Sequence, residues 1–448
     1  MSDDLQSPVQ QAAEKLSAAV SDLFAVSDVT LGIPRQPAVI RMRGHLQVPS
    51  DHAYSQIAAR FRQLGYTPAL RRDREQNLDV LLAVPGVLPE KDTSRTWINV
   101  VLYVLTILST LYAGAFQSEL MPQDLDQTQI LLWPLTHLWL GWPFALSLMV
   151  ILTGHELGHY FTGRHFKVPV SLPYFIPFPL PPLGTMGAFI QMKGQAADRR
   201  QMLAIGVAGP LTGFILAVPI LLLGLSMSHV EPLELPPPGM SSFLEGNSIL
   251  YLLLKFAVFG KILPGSGLPP DTLAMALREA AAALFGTFPI GRGYDVIISP
   301  VALAGWAGLL VTALNLLPVG QLDGGHVLYS LVGNKARLLT WPIIGLCLVM
   351  GLVLWQGWFL WAGLIFLFGQ GHPDPLDDIT RLNTRGKVVA VVMLLIFALT
   401  FTPIPMREFP NDVSGQPVGC LGVVGIVAGA LWLAWRVKKR QHPNARSE

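Results

Sequence analysis

Hydrophobic and polar positions follow two regimes along this chain. Up to about residue 90 they recur at the short periods of amphipathic helices and half-buried strands; from Trp97 onward they gather into long apolar blocks. In the first regime Val9, Ala12, Ala13, Leu16, Val20, Leu23 and Phe24 fall at helical spacing and predict one amphipathic helix within residues 1–28. Val39 to Leu46 alternates apolar and basic residues, the mark of a strand with one buried face. Ser50 suits a helix N-cap, Ala53, Ile57, Phe61 and Leu64 form one helical face, and Gly65 stops it. Tyr66–Leu70 and Leu78–Val84 then read as a hairpin around a polar stretch. Residues 29–90 are therefore expected to form a small soluble α+β domain. It holds no catalytic constellation, so regulation or docking is its default role.

The second regime contains blocks near membrane length at 97–116, 135–162, 203–226, 300–318, 338–355, 357–370, 387–403 and 419–436. The block at 357–370 is short enough to be re-entrant. Residues 243–259 are also apolar, but Glu245, Asn247 and Lys255 leave them open between an interfacial helix and a further span; a span there would move the later basic clusters to the other side, so it is kept out of the count. Leu273 to Leu284 is amphipathic and suits the interface as well.

Composition agrees with a membrane chain: 51% of the 448 residues are hydrophobic and 13% charged, about half the charged share of a soluble domain. The loop 117–134 has no Lys or Arg, whereas 163–200 carries Arg164, Lys167, Lys193, Arg199 and Arg200. Arg381, Arg385 and Lys387, and then Lys438, Lys439 and Arg440, form further basic clusters. Eight spans put all of these on one side with the N-terminal domain, and the positive-inside rule makes that side cytoplasmic. The expected fold is an all-α polytopic membrane protein of about eight spans, with a small soluble α+β N-terminal domain and a short membrane-associated β-hairpin. Its divisions are 1–28, 29–90, a core at 97–335, further spans at 336–436 and a basic cytoplasmic tail at 437–448. A net charge of +2 without a basic stripe argues against nucleic acid. Cys347 and Cys420 lie apart in apolar runs, so neither a disulfide framework nor a thiolate metal site is indicated. Residues 1–28 lack the apolar core of a signal peptide.

Candidate chemistry centres on His155-Glu156-Leu157-Gly158-His159. Residues four apart share a helix face, so both imidazoles can reach one metal ion. Glu156 is turned by about 100° from His155 and can reach a water without ligating the metal. The motif ends a run, Leu138 to Thr153, that is almost wholly apolar, where buried ionisable groups are costly unless used. A catalytic zinc site takes a third protein ligand. Asp323, after an apolar block and before Gly324 and Gly325, is the candidate; its alternative is a helix N-cap. Asn315, at the end of that block, is placed to donate a hydrogen bond to a substrate carbonyl. Gly206, Gly209, Pro210 and Gly213 form a small-residue stripe, read as close helix packing.

HELGH in one membrane helix, followed by Asn315-Leu-Leu-Pro318-Val-Gly-Gln-Leu-Asp323-Gly324, resembles the site-2 protease family of intramembrane metalloproteases. The wording around both motifs, with Pro173-Tyr174-Phe175-Ile176-Pro177, is similar to its plastid and cyanobacterial branch, named for the ethylene-dependent gravitropism-deficient and yellow-green phenotype. The resemblance covers residues 97–335 well and the last spans loosely. It implies one zinc ion held by His155, His159 and Asp323, Glu156 as general base and acid, and Asn315 as a substrate-positioning or oxyanion group. It also implies hydrolysis of peptide bonds in single-pass membrane substrates, such as anti-sigma factors or membrane-tethered regulators, within the lipid bilayer. Without an Arg/Ser-rich transit peptide, a prokaryotic cell membrane is the expected location. A non-catalytic zinc-binding scaffold or transport component is the alternative, against which an intact Glu156 argues.

One further element suits a peptide substrate. Ala188 to Met192 reads as a short strand between glycines. A helical substrate must be unwound before cleavage, and its freed amides need partners. A strand edge at Gly187, Ala188, Phe189, Ile190 and Gln191 would supply them by β-addition. The plain alternative is a hairpin connector.

Overall fold

A computed structural model describes residues 8–33, 36–73, 75–86, 95–122, 125–234, 241–288, 293–369 and 374–410. The N-terminal unit begins with α1 (Pro8–Val20), followed by β1 (Phe24–Ile33), β2 (Gln36–Leu46), α2 (Ser50–Gln63), β3 (Tyr66–Asp73) and β4 (Leu78–Pro85). The four strands form one sheet in the order β1-β2-β4-β3, and each neighbouring pair is antiparallel. Leu16 and Val20 of α1 and Ile57 and Phe61 of α2 pack with Phe24, Ile40, Met42, Leu70 and Leu81 of the sheet in one core. Burying each of these large side chains is worth roughly 1.5–3 kcal/mol. The helical pattern expected through residue 28 stops at Val20. Leu23 lies in a turn and Phe24 opens a strand, because the core lies on the same side for both elements and either period can serve it.

The chain then runs through α3 (Thr96–Phe116), α4 (Gln127–Thr136), α5 (Trp142–His165), a hairpin of β5 (Tyr174–Pro177) and β6 (Thr185–Phe189), and α6 (Arg199–Ser226). An insertion follows with β7 (His229–Pro232), β8 (Ser241–Glu245), α7 (Ile249–Phe259), α8 (Leu273–Leu284) and β9 (Tyr294–Ile297). The chain continues through α9 (Pro300–Asn315), α10 (Asp323–Val332), α11 (Thr340–Val353), α12 (Gly357–Phe368), α13 (Thr384–Thr400) and β10 (Met406–Pro410). The centre is a three-helix contact of α5, α6 and α9, where Phe144, Leu148, Ile151, Ala217, Leu221, Ala304 and Ala307 meet. Alanines and glycines of α9 let its backbone approach both neighbours. Val101, Val104, Leu105 and Leu108 leave an exposed apolar face on α3 that suits lipid.

The protein is thus an integral membrane protein, mostly helical, with an N-terminal α+β unit. Four described helical stretches are long and apolar enough to cross a membrane: Thr96–Phe116, Leu138–His165, Arg199–Ser226 and Asp323–Val353. About eight crossings were expected from the apolar blocks. The block at 300–318 yields a helix of 16 residues, about 24 Å long against a hydrocarbon layer of about 30 Å. Its residues are apolar because α5 and α6 surround them, a cause that hydropathy along the chain does not separate from lipid exposure. The block at 357–370 gives a 12-residue helix, and that at 243–259 gives a strand and an 11-residue helix. The last block, 419–436, and the basic tail lie outside the described residues.

The N-terminal unit is tied to the helices by a short extended segment, Pro375–Thr380. On one side Leu70 N–H donates to Leu376 O at 2.7 Å, and Asp378 N–H donates to Leu70 O at 3.1 Å. On the other side Leu376 N–H donates to Ala196 O at 2.9 Å, and Asp377 N–H donates to Ala197 O at 2.7 Å. The free edge of β3 is thereby covered.

Candidate metal and peptidase site

The site is built from the end of α5, the start of α10 and the flank of α6. His155, Glu156 and His159 lie on α5 and are all buried. Asp323 is the first residue of α10. Leu322, rather than Asp323, holds its N-cap position, and no side chain caps that helix end. The Asp323 carboxylate turns instead to the imidazoles. Its Oδ2 lies 3.2 Å from His159 Nε2 and 3.5 Å from His155 Nε2, and the two ring nitrogens are 3.3 Å apart. A tetrahedral zinc centre with ligand arms of about 2.0–2.1 Å has edges of roughly 3.3–3.4 Å. The three donor atoms therefore already stand at the spacing of one tetrahedral face, and these residues fit a bound divalent ion. Among the described residues this is the group of His, Cys, Asp and Glu side chains able to hold a metal.

Residues beside the ligands decide which atoms they present. His159 Nδ1 lies 2.7 Å from Ile205 O on α6. A carbonyl only accepts, so Nδ1 carries the hydrogen and the neutral ring turns the Nε2 lone pair toward the centre. The glycine stripe of α6 makes room for both rings. A Cβ at Gly209 would stand 2.0 Å from His159 Nε2, and one at Gly213 would stand 3.0 Å from His155 Nδ1. The stripe that the sequence suggests for helix packing thus also houses the imidazoles; its spacing was visible, but not what it faces. Ile205 carried no signal at all, because its part is played by a main-chain oxygen. Gly324 packs against Leu316 O, where a Cβ would come within 2.0 Å, so the turn between α9 and α10 closes tightly enough to bring Asp323 back to α5.

A cavity of about 690 Å³ opens on the group, lined by Glu156, Ala188, Phe189, Ile190, Gln191 and Asn315 among others. Glu156 Oε2 is buried in it without a hydrogen-bond partner. A buried carboxylate oxygen left in this state is costly, and a water or substrate proton would satisfy it. Asn315 Nδ2 lies 3.2 Å from His155 Nε2. The strand of the hairpin runs over Thr185–Phe189, earlier than the expected Ala188 to Met192. Ile190 and Gln191 follow it, and the Gln191 main chain is engaged on both sides by Ser171, through Ser171 N–H to Gln191 O at 3.0 Å and Gln191 N–H to Ser171 Oγ at 2.9 Å. Gly187 N–H donates to Thr185 Oγ1 at 3.0 Å and lies off the cavity lining.

Residues 143–354 match Peptidase family M50. Among curated proteins, the chain is 32% identical over 325 residues to "Probable zinc metalloprotease EGY1, chloroplastic" of Arabidopsis thaliana, covering 68% of this chain and 53% of that protein. It is 27% identical over 394 residues to "Probable zinc metalloprotease EGY2, chloroplastic" of the same plant, covering 86% of this chain and 63% of that one. The rice EGY1 protein (Oryza sativa subsp. japonica) is 32% identical over 269 residues, 58% of this chain and 40% of its own length. The chain thus spans between two fifths and two thirds of the length of these relatives. No solved structure matches significantly. The plant proteins are chloroplastic by name, so they lend no support to the prokaryotic membrane expected above. Residues 143–354, which hold both motifs of the metal site, thus match the peptidase family M50 (site-2 protease) domain, and the chain is homologous to these plant metalloproteases.

Proposed function

We propose that the protein is an intramembrane zinc metalloprotease that hydrolyses peptide bonds in or near transmembrane segments of membrane proteins. The observation that carries this reading is the convergence of His155, His159 and Asp323, from two motifs far apart in the chain, at 3.2–3.5 Å spacing beside a buried Glu156. Zinc held by these three side chains supplies Lewis-acid chemistry, polarising a carbonyl and acidifying water. Glu156 takes the proton of the attacking water and returns it to the leaving amine. Its unpartnered Oε2 is the acceptor for that proton. Asn315 now faces the His155 Nε2 lone pair. Once that lone pair is engaged the amide needs another acceptor, and a substrate carbonyl oxygen supplies it.

Single-span membrane proteins are the proposed substrates. An unwound segment lies along Ala188–Ile190, beside the metal group, with its amides paired to that edge. Gly187 and Gln191 shape the ends of this edge, because their own main-chain groups are already engaged. The basic clusters at Arg164–Arg200 and Arg381–Lys387 support an N-terminal domain on the cytoplasmic face, or on the equivalent face of a plastid membrane.

The test needs no known substrate. Zinc is measured in the purified, detergent-solubilised protein beside Asp323→Ala. One zinc per chain is expected, with a clear loss in the variant. Full retention in Asp323→Ala would remove that residue from the site, and a folded wild type without zinc would overturn the reading.

A further inference from the structure

Asp378, in the segment that joins the N-terminal sheet to the helices, meets α6 and α10, two of the three helices that arrange the metal group. Its Oδ1 accepts from Arg199 Nε at 3.0 Å, lies 3.0 Å from a second nitrogen of the same guanidinium, and accepts from Tyr329 Oη at 3.1 Å. The Arg199 guanidinium also stands over the Tyr329 ring, 5.8 Å from its centre. These side chains are largely buried: the Arg199 and Asp378 side chains are 10% and 12% exposed, and Tyr329 is fully buried. A charged contact withdrawn from water in this way is geometrically exacting.

The positions of the two partners carry the consequence. Arg199 opens α6, and six residues on Ile205 holds the His159 ring. Tyr329 lies in α10, six residues after Asp323. Six residues of helix are about 9 Å, less than two turns of a stiff element. Asp378 therefore ties together the ends of the two levers that set a ligand's tautomer and a ligand's place. The same segment is bonded to the sheet by main chain at Leu70 and by Arg71, whose Nη1 donates to Pro375 O at 2.8 Å and Leu376 O at 2.9 Å. Ser50 Oγ and Thr380 Oγ1 add a contact at 2.8 Å, and Leu376 and Ile379 pack on the N-terminal core. Ala196, which accepts the bond from Leu376, lines the cavity itself.

We propose that Asp378 is a positioning residue that couples the docked N-terminal sheet to α6 and α10, so that the metal group holds its arrangement only while that sheet is seated. The N-terminal domain is then the regulatory input of the site, and a partner that lifts β3 from Pro375–Thr380 loosens Asp323 and His159 together. The proposal rests on the protease reading for what the site does, but not for the mechanical link.

The experiment uses the full chain in detergent, with Arg71→Ala, Asp378→Ala and Asp378→Glu beside wild type. Hydrogen exchange is followed over residues 199–205 and 323–332, and transfer of bound zinc to EDTA is timed. Asp378→Ala is expected to speed both by about tenfold, the scale on which supporting partners tune a metal site, with Asp378→Glu recovering most of it. Arg71→Ala, which touches no membrane helix in these contacts, is expected to speed exchange over 323–332 severalfold. Unchanged exchange over 323–332 in Arg71→Ala, while exchange over 66–73 rises, would overturn the coupling and leave a passive dock. Should Asp378→Ala fail to fold, Arg71→Ala decides alone. A wild type that binds no zinc would sink the protease reading, yet the exchange data would still decide the link.

Discussion

His155 and His159 are one helical turn apart, but what makes them a site is the set of small groups around them. Gly209 has little freedom to change. A methyl group there would meet the His159 ring at 2.0 Å from Nε2, a distance at which something must move. Gly209→Ala is therefore expected to lose most bound zinc while its helical circular dichroism stays near wild type. Zinc content equal to wild type would show that the ring can shift without cost. Glu156 has a different part. It adds no donor atom to the triad, and its free oxygen faces the cavity. Glu156→Gln keeps size and loses basicity, so zinc and fold should persist while cleavage of a single-span reporter falls by about 10²–10⁴-fold. Cleavage at the wild-type rate would remove Glu156 as the base.

Among elements, the insertion between α6 and α9 carries a second group of buried charges. Lys255 of α7 is fully buried, 3.2 Å from Glu245 of β8 and 3.1 Å from Asp295 of β9, with Tyr251 Oη donating to Glu245 at 2.9 Å. Two strands that pair with different partners, β8 with β10 and β9 with β7, are thus pinned to one helix. Removing the cation leaves two carboxylates buried together. Lys255→Met should destabilise the protein by about 3–5 kcal/mol, seen as a lowered thermal unfolding midpoint in detergent. A midpoint unchanged from wild type would mean that the acids find water. The sequence marked Lys255 only as out of place in an apolar run; its two partners come from strands that no pattern in the chain announced. The hairpin shows the same limit. Its existence was legible from the glycines around it, but its register was shifted toward Thr185, because pairing with β5 and the hold of Ser171 on Gln191 are long-range facts.

On the scale of the whole molecule, the cores are separate from the metal group. The N-terminal core, the α5–α6–α9 centre and the cluster around Trp358 each close without it. Chelation should therefore abolish cleavage and leave helical circular dichroism and monodispersity intact, with zinc restoring activity. Unfolding on chelation would show instead that the ion is structural. Of the eight expected crossings, four described helical stretches meet the length and apolarity of a span. Apolar blocks such as 300–318 are shielded by other helices as well as by lipid, and only packing tells these apart.

What the sequence determined by itself was local: the helical spacing of His155, Glu156 and His159, the soluble pattern before Trp97, and the presence of Asp323 and Asn315 as candidates. Periods of two and 3.6 and the i, i+4 relation act over a few residues, so they can be read without a fold. The tertiary structure alone decided that Asp323 faces the imidazoles rather than capping α10, that Gly209 and Gly213 shelter the rings, and that Asp378 joins the N-terminal sheet to α6 and α10. Each of these depends on contacts between segments far apart in the chain, whose distance is set by packing and not by any spacing along the sequence.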